Sequence, residues 1–366
     1  MPSSFLPKLI LGCAASMILS AVISTPAWGH SAPVHEHSEV VPLPTYSASE
    51  SPSAEDALRA AQALIKALGK QDTQYQFDLK SRARAGWSNL PAAYIPREGL
   101  SIDDMSESQR KALFDFLSAS LGPAGYKRVA EIMAAEAALA DNGDGSFNRF
   151  YRTEDYFISF YGTPSDKGEW GWQFGGHHLG VNMSFEDGKI ESLSPLHLGS
   201  EPVTFTHNGV KYENMVDMHA AGLALFKSLS SKQQKSASQI DIPHEVVTGP
   251  GREGDIPKQE GLYARDMNEA QRDLLLKTIA LWVTLQPDEN AQARMAEIKA
   301  ELDDVTFGWD GDSNPTDYGY YRIQGPSVVV EHLSFGSQRR VATDRNGHYH
   351  TMYRNLLNDY GGNTPE

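Results

Sequence analysis

Cysteine is almost missing from this chain: Cys13 is the single one in 366 residues, and it sits in an apolar N-terminal run. MPSSFLPKLILGCAASMILSAVISTPAWGH carries one lysine, an apolar stretch from Leu9 to Ile23, and small residues around Ala27 and Gly29. This is the layout of a secretory signal peptide over residues 1–29, and the run is shorter than the roughly 20 residues a membrane helix needs. ILGC superficially resembles a lipoprotein box, but Cys13 follows Lys8 too closely for lipidation. The expected mature chain therefore has no thiol, which excludes disulfides, thiolate-held zinc and a cysteine nucleophile. Any metal would have to be held by histidines and carboxylates. The sequence predicts an exported protein, periplasmic or extracellular, with no stable membrane span after cleavage.

Basic residues are scarce as well, 32 against 47 acidic ones, for a formal charge of −15. Loss of the leader removes Lys8 and no acid, taking the charge to −16. So acidic a chain, with no basic stripe, repels phosphate backbones, and nucleic acid is excluded as a partner. Absent too are a G-x-S-x-G elbow, a P-loop, a Rossmann fingerprint and HExxH, which argues against the common hydrolase, nucleotide-binding and zincin classes. DNGDGS from Asp141 and DGDSNP from Asp310 look like calcium loops. The first lacks alternating ligand positions, and the second has Pro315 where an EF-hand needs glycine and Tyr321 where it needs glutamate. Both read as solvated turns. With 40% hydrophobic and 22% charged residues, the remainder is neither disordered nor a multi-span membrane protein.

What the chain does have is similarity to itself. EGLSIDDMSESQRKALF from Glu98 aligns without gaps to EGLYARDMNEAQRDLLL from Glu260, an offset of 162 residues. AEIMA from Ala130 matches AEIKA from Ala296, and YFISFYGTPS from Tyr156 matches YGYYRIQGPS from Tyr318. So long a period means duplication of a domain-sized unit and not a solenoid. The expected organisation is a signal peptide (1–29), a flexible His/Pro/Ser-rich leader (30–54), a first half with a connecting helix (55–235) and a second half (236–366).

A helix capped by Ser53 should open the folded part. Each half then reads as capped helices followed by aromatic strands: about 156–161, 170–185 and 189–194 in the first, and 318–323, 328–335 and 348–354 in the second. Between them lie a strand or turn over 204–212 and a helix over 214–230. The fold class expected is α+β, with two related halves of helices and antiparallel strands packed in pseudo-twofold symmetry.

WSNLP and YIPREGL from Trp87, YFISFYGTPS followed by WGWQFGGHHLGVN, and YYRIQGPSVVVEH followed by GHYHTMYRNLLNDYGG carry a resemblance to a known family. The chain resembles the secreted family catalogued as domain of unknown function 3500, from about Ser53 to Gly362. The resemblance implies an exported single-chain architecture. It implies no chemistry, because the family has no established activity.

The histidines must therefore speak for themselves. Read as one strand, residues 170–185 place His177 and His178 on opposite faces, so at most one faces a given site, and a bulge at Gly175-Gly176 leaves open which. His348 and His350, two apart, share a face and can present two imidazoles to one metal. If the halves pack about a dyad, the two strands occupy corresponding places and three or four imidazoles converge. Such a site suits a transition metal, copper or zinc first, and three ligands with an open position make a catalytic geometry. The competing reading is hydrogen bonding within an aromatic core, or direct binding of an anion.

A second group, His30, His35 and His37, falls in the leader. His30 would chelate copper as the first or third residue after cleavage, unless the leader is merely polar. Gln173, Glu331, Arg354 and Asp359, beside Trp172, are candidates to orient a polar ligand or to support the imidazoles, though each singly fits ordinary inter-strand pairing. The function expected is metal binding, for storage or delivery or for metal-assisted chemistry on a small substrate. The alternative is a metal-free hydrolase or small-ligand-binding protein, with His178 or His350 as base and Arg354 anchoring an anion. In either case the partner is a small molecule or a metal ion.

Overall fold

The computed structural model describes residues 51–142, 152, 155–311, 318–335 and 347–365. The leader with His30, His35 and His37, and most of both calcium-like loops, lie outside the described residues. Helix α1 (Ala54–Leu68) begins where the sequence predicts, with Ser53 in a capping box with Asp56. Helices α2 (Glu107–Ser120) and α3 (Pro123–Asn142) follow, then α4 (Val216–Ser228) and α5 (Ser231–Ala237), and finally α6 (Glu269–Val283) and α7 (Asp288–Ala300). The similar segments SESQ and NEAQ serve one physical purpose: Ser106 with Gln109 and Asn268 with Gln271 each form a capping box. Each box satisfies backbone N–H groups that the first helical turn leaves without partners.

Short strands β1 (Gln76–Phe77) and β2 (Leu100–Ser101) precede a four-strand antiparallel meander: β3 (Phe157–Gly162), β4 (Glu169–Gly176), β5 (Leu179–Glu186) and β6 (Lys189–Ser200). A separate hairpin, β7 (Thr204–His207) and β8 (Val210–Glu213), occupies the predicted 204–212 segment. After β9 (Leu262–Tyr263) comes a second meander: β10 (Thr306–Gly311), β11 (Tyr318–Gln324), β12 (Val328–Phe335) and β13 (Tyr349–Asn355). The meanders join where β6 pairs antiparallel with β13, giving one eleven-stranded, mostly antiparallel sheet in the order β1-β3-β4-β5-β6-β13-β12-β11-β10-β9, with β2 beside β3. The protein is α+β.

Helices cover one face of this sheet. Phe116 of α2 packs on Phe160 and Trp172, the Trp282 indole of α6 donates to Thr351 Oγ1, and Arg294 of α7 donates to the Tyr353 hydroxyl. The other face is covered by irregular chain. Trp87 lies over Gly180 and Ile240 over Gly308, each where a Cβ would stand under 3 Å from the covering side chain. Strands buried on both faces read as near-continuous apolar runs, and Val328, Val329 and Val330 are all fully buried.

Three expectations need correction. Residues 170–185 form two strands, β4 and β5, joined by a two-residue turn at His177-His178. Strand β6 does not stop at 194 but runs through Pro195 to Ser200, with a register irregularity at Asn182, whose amide donates to the Pro195 carbonyl. The match of YFISFYGTPS to YGYYRIQGPS aligns β3 with β11, whereas the strand that follows the second helix pair is β10, which the sequence reading missed.

Candidate metal centre

The β4–β5 turn places the first imidazoles. His178 is left-handed at φ 60, a conformation that costs a non-glycine residue about 1 kcal/mol and is held only by its surroundings. Here the surroundings are two backbone hydrogen bonds: His178 N–H donates to the Asn89 carbonyl (3.1 Å), and the His178 carbonyl accepts from Gly199 N–H (2.7 Å). Because the pair occupies a turn and not a strand, the rings do not diverge. The two imidazoles stack at 3.7 Å between centroids, 25° from parallel. Behind them, Glu136 of α3 meets His177 Nδ1 at 2.6 Å.

Strand β13 brings the others. Leu333, His350 and Gly199 lie in cross-strand register on β12, β13 and β6. A Cβ on Gly199 would meet His178 Cδ2 at 2.9 Å and His350 Cδ2 at 3.1 Å, so the bare backbone makes the floor of the site. Above it His348 Nε2 lies 3.1 Å from His178 Nε2 and 2.9 Å from His350 Nε2. Phe335 forms a wall, its ring centroid 4.6 Å from that of His348 and 4.8 Å from that of His350.

Carboxylates stand behind the imidazoles. His350 Nδ1 is 2.8 Å from both Glu245 oxygens, and His348 Nδ1 is 3.5 Å from Glu201 Oε2. Asn89 ties the two sides together: its carbonyl holds His178, and its amide donates to Glu245 Oε2 at 2.9 Å. A carboxylate on the far nitrogen fixes the tautomer and ring orientation of a metal-ligating histidine. Burial, and then the neighbouring His177, His348, His350 and His197, push the His178 imidazole well below its usual range. Burial also pushes the Glu245 carboxyl up. Charge interaction with His350, and hydrogen bonds from His350 and Val246 N–H, outweigh this and hold it down to about 2.

Sequence reasoning missed several members of this cluster. Glu136, Glu201, Glu245 and Asn89 lie far off in the chain. His197, on β6, was passed over because the predicted strand ended before Pro195. It is fully buried with neither ring nitrogen hydrogen-bonded among the described residues, its ring 5.5 Å from that of His350 and 6.0 Å from that of Trp87. Burial first, then His350, drives its imidazole down to about 3.

The polar candidates do not join the histidines. Gln173 donates to the Arg84 carbonyl and to Asn182, and Trp172 belongs to the helix-facing core. Glu331 accepts from Val247 N–H, the Thr248 N–H and hydroxyl, and Tyr320. The Arg354 guanidinium is committed to the Thr248 and Gly249 carbonyls, Asp359 and Glu253. It is therefore not free to anchor an anion. The expectation that the HH and HxH strands meet as counterparts also fails in detail: β6 lies between β5 and β13, and His178 reaches over it from a turn.

Comparison with known proteins adds a family and no activity. The family described as protein of unknown function (DUF3500) matches residues 50–362, and the chain belongs to it. Neither the curated proteins nor the solved structures contain a match.

Proposed function

We propose that the protein binds one transition-metal ion through Nε2 of His178, His348 and His350, with a coordination position left for an exogenous ligand or small substrate. The observation that carries this is the crowding at His348 Nε2, 3.1 and 2.9 Å from its two neighbours. A ring nitrogen offers either one hydrogen or one lone pair, so it can satisfy only one of those contacts by hydrogen bonding. A cation among the three lone pairs satisfies all of them. Tetrahedral zinc at its usual Zn–N distance spaces ligand nitrogens by about 3.3 Å, close to the separations found. Glu245 behind His350 and Glu201 behind His348 supply the expected outer partners.

Zinc and copper(II) both suit imidazole donors, and a bound ion with an open position supplies a Lewis acid or an activated water. The chain's own groups orient the ligands and exclude bulk water. The metal-free alternative is weaker, since its anion anchor, Arg354, is already engaged. We further infer export by a signal peptide at 1–29, and descent of 55–235 and 236–366 from one ancestral unit. The order of a capped helix, a second helix and then a four-strand meander, found twice, supports that descent.

The decisive measurement is elemental analysis and copper EPR on protein exported and purified without an affinity tag. Wild type should carry about one equivalent of metal, and His348→Ala and His350→Ala little. Equal metal in wild type and variants would overturn the reading. N-terminal mass determination of the exported protein tests the cleavage site.

A further inference from the structure

A cleft of about 980 Å³ opens between residues 85–95 and 244–257, the irregular segments that cover the sheet face bearing His350. Asn89 and Glu245 line it, and these are the residues that lie 3.4 and 2.8 Å from His350 Nδ1. The interior of the cleft is thus one side chain away from a proposed metal ligand.

The lining selects against charge. Arg252 and Asp255 face each other at 3.5 Å, and Glu245 is matched by His350. Much of the remaining surface is apolar: Trp87, Val246, Val247 and two prolines, with Gly249 and Gly251 exposing backbone between them. More telling, Leu90 (46% exposed), Ile95 (41%) and Ile256 (44%) line this one cleft while standing in water. Clustered exposed apolar side chains around a concavity mark binding surfaces, whereas scattered ones need no explanation. Trp87 is fixed in place, its indole N–H donating to the Tyr360 hydroxyl at 2.9 Å.

We propose that this cleft binds an uncharged, largely apolar molecule with an aromatic or aliphatic body and a hydroxyl or carbonyl end, and seats that end on Asn89 and Glu245, the residues that stand behind the metal ligand His350. The coupling of the cleft to the metal through His350 rests on the metal reading; occupancy of the cleft does not.

The test uses 1-naphthol, which is uncharged at neutral pH and fluorescent, with the full-length protein. Saturable binding is expected, weakened at least tenfold by Leu90→Glu with Ile256→Glu, both exposed positions whose replacement leaves the thermal melt unchanged. Binding should persist in His348→Ala. In cobalt(II)-loaded wild type the probe should shift the visible cobalt bands. No saturable binding, or equal binding by the double variant, overturns the cleft assignment. Binding with unmoved cobalt bands overturns the coupling through Glu245 and His350. Protein that takes up no cobalt but still binds 1-naphthol through Leu90 and Ile256 would sink the metal reading and leave the cleft standing.

Discussion

Gly199 shows how much a missing side chain can do. Two imidazoles rest on its backbone, and a methyl group there would press on His178 at 2.9 Å and on His350 at 3.1 Å. Gly199→Ala should leave the sheet intact but weaken metal binding ten- to a hundredfold, the scale at which misplaced ligands lose affinity; competition with a chromophoric chelator measures it. On the helix-covered face, His219 and His332 form a second buried pair, 5.2 Å between ring centroids. Burial pushes the His219 imidazole down to about 4, so between the usual value near 6.5 and 4 the unfolded chain takes up a proton that the folded one refuses. Stability is therefore complete above that window and falls as the pH drops through it, by about 3 kcal/mol for this group. His219→Phe should flatten the dependence in denaturant titrations at pH 7 and pH 4. At this scale the sequence was informative about identity and silent about partners. The residues His177, His178, His348 and His350 were readable as chemistry, whereas Glu245 and His197 become visible only once the chain is folded around them.

Among the elements, the 3-10 turn Asp359–Gly362 acts on both walls of the cleft. Tyr360 accepts from the Trp87 indole at 2.9 Å and donates to Glu253 at 3.0 Å. Tyr360→Phe removes both bonds and leaves the buried Trp87 indole N–H without its partner, which should cost about 1–3 kcal/mol in a thermal melt and also weaken 1-naphthol binding. The helices were legible because Ser53, Ser106 and Asn268 each announce a start with a side chain that bonds the first turn. Strands were less so, for reasons that lie in particular residues. GGHH lacks the Asn-Gly or Asp-Gly pair that normally signals a two-residue hairpin, and its turn was hidden inside one apparent strand. Pro195 suggested an end to β6, since proline cannot donate to a ladder. TFGWDG, whose glycines lead into the aspartate-rich run from Asp310 that reads as a solvated turn, proved to be β10.

For the molecule as a whole, one sheet passes through the β6–β13 seam without interruption, so the two meanders have no separate cores. Scanning calorimetry should record one cooperative transition and not two. If the ion is held as proposed, chelation should lower that transition, since a ligand at a hundred times its Kd contributes about 2.7 kcal/mol to the folded state. The α+β class could be read from the pattern of helices and aromatic strands, but the order in which the strands assemble could not, because nothing local in β6 names β13 as its neighbour. That ordering sets the history of the site. His178 and His348 are 170 residues apart in the chain, and the last imidazoles arrive on the final strand. If the site binds metal as proposed, a growing polypeptide owns no complete binding site until β13 has emerged, and the first ion it meets as a competent host is the one available where folding finishes. On that reading the choice between metals is made by geography as much as by coordination chemistry.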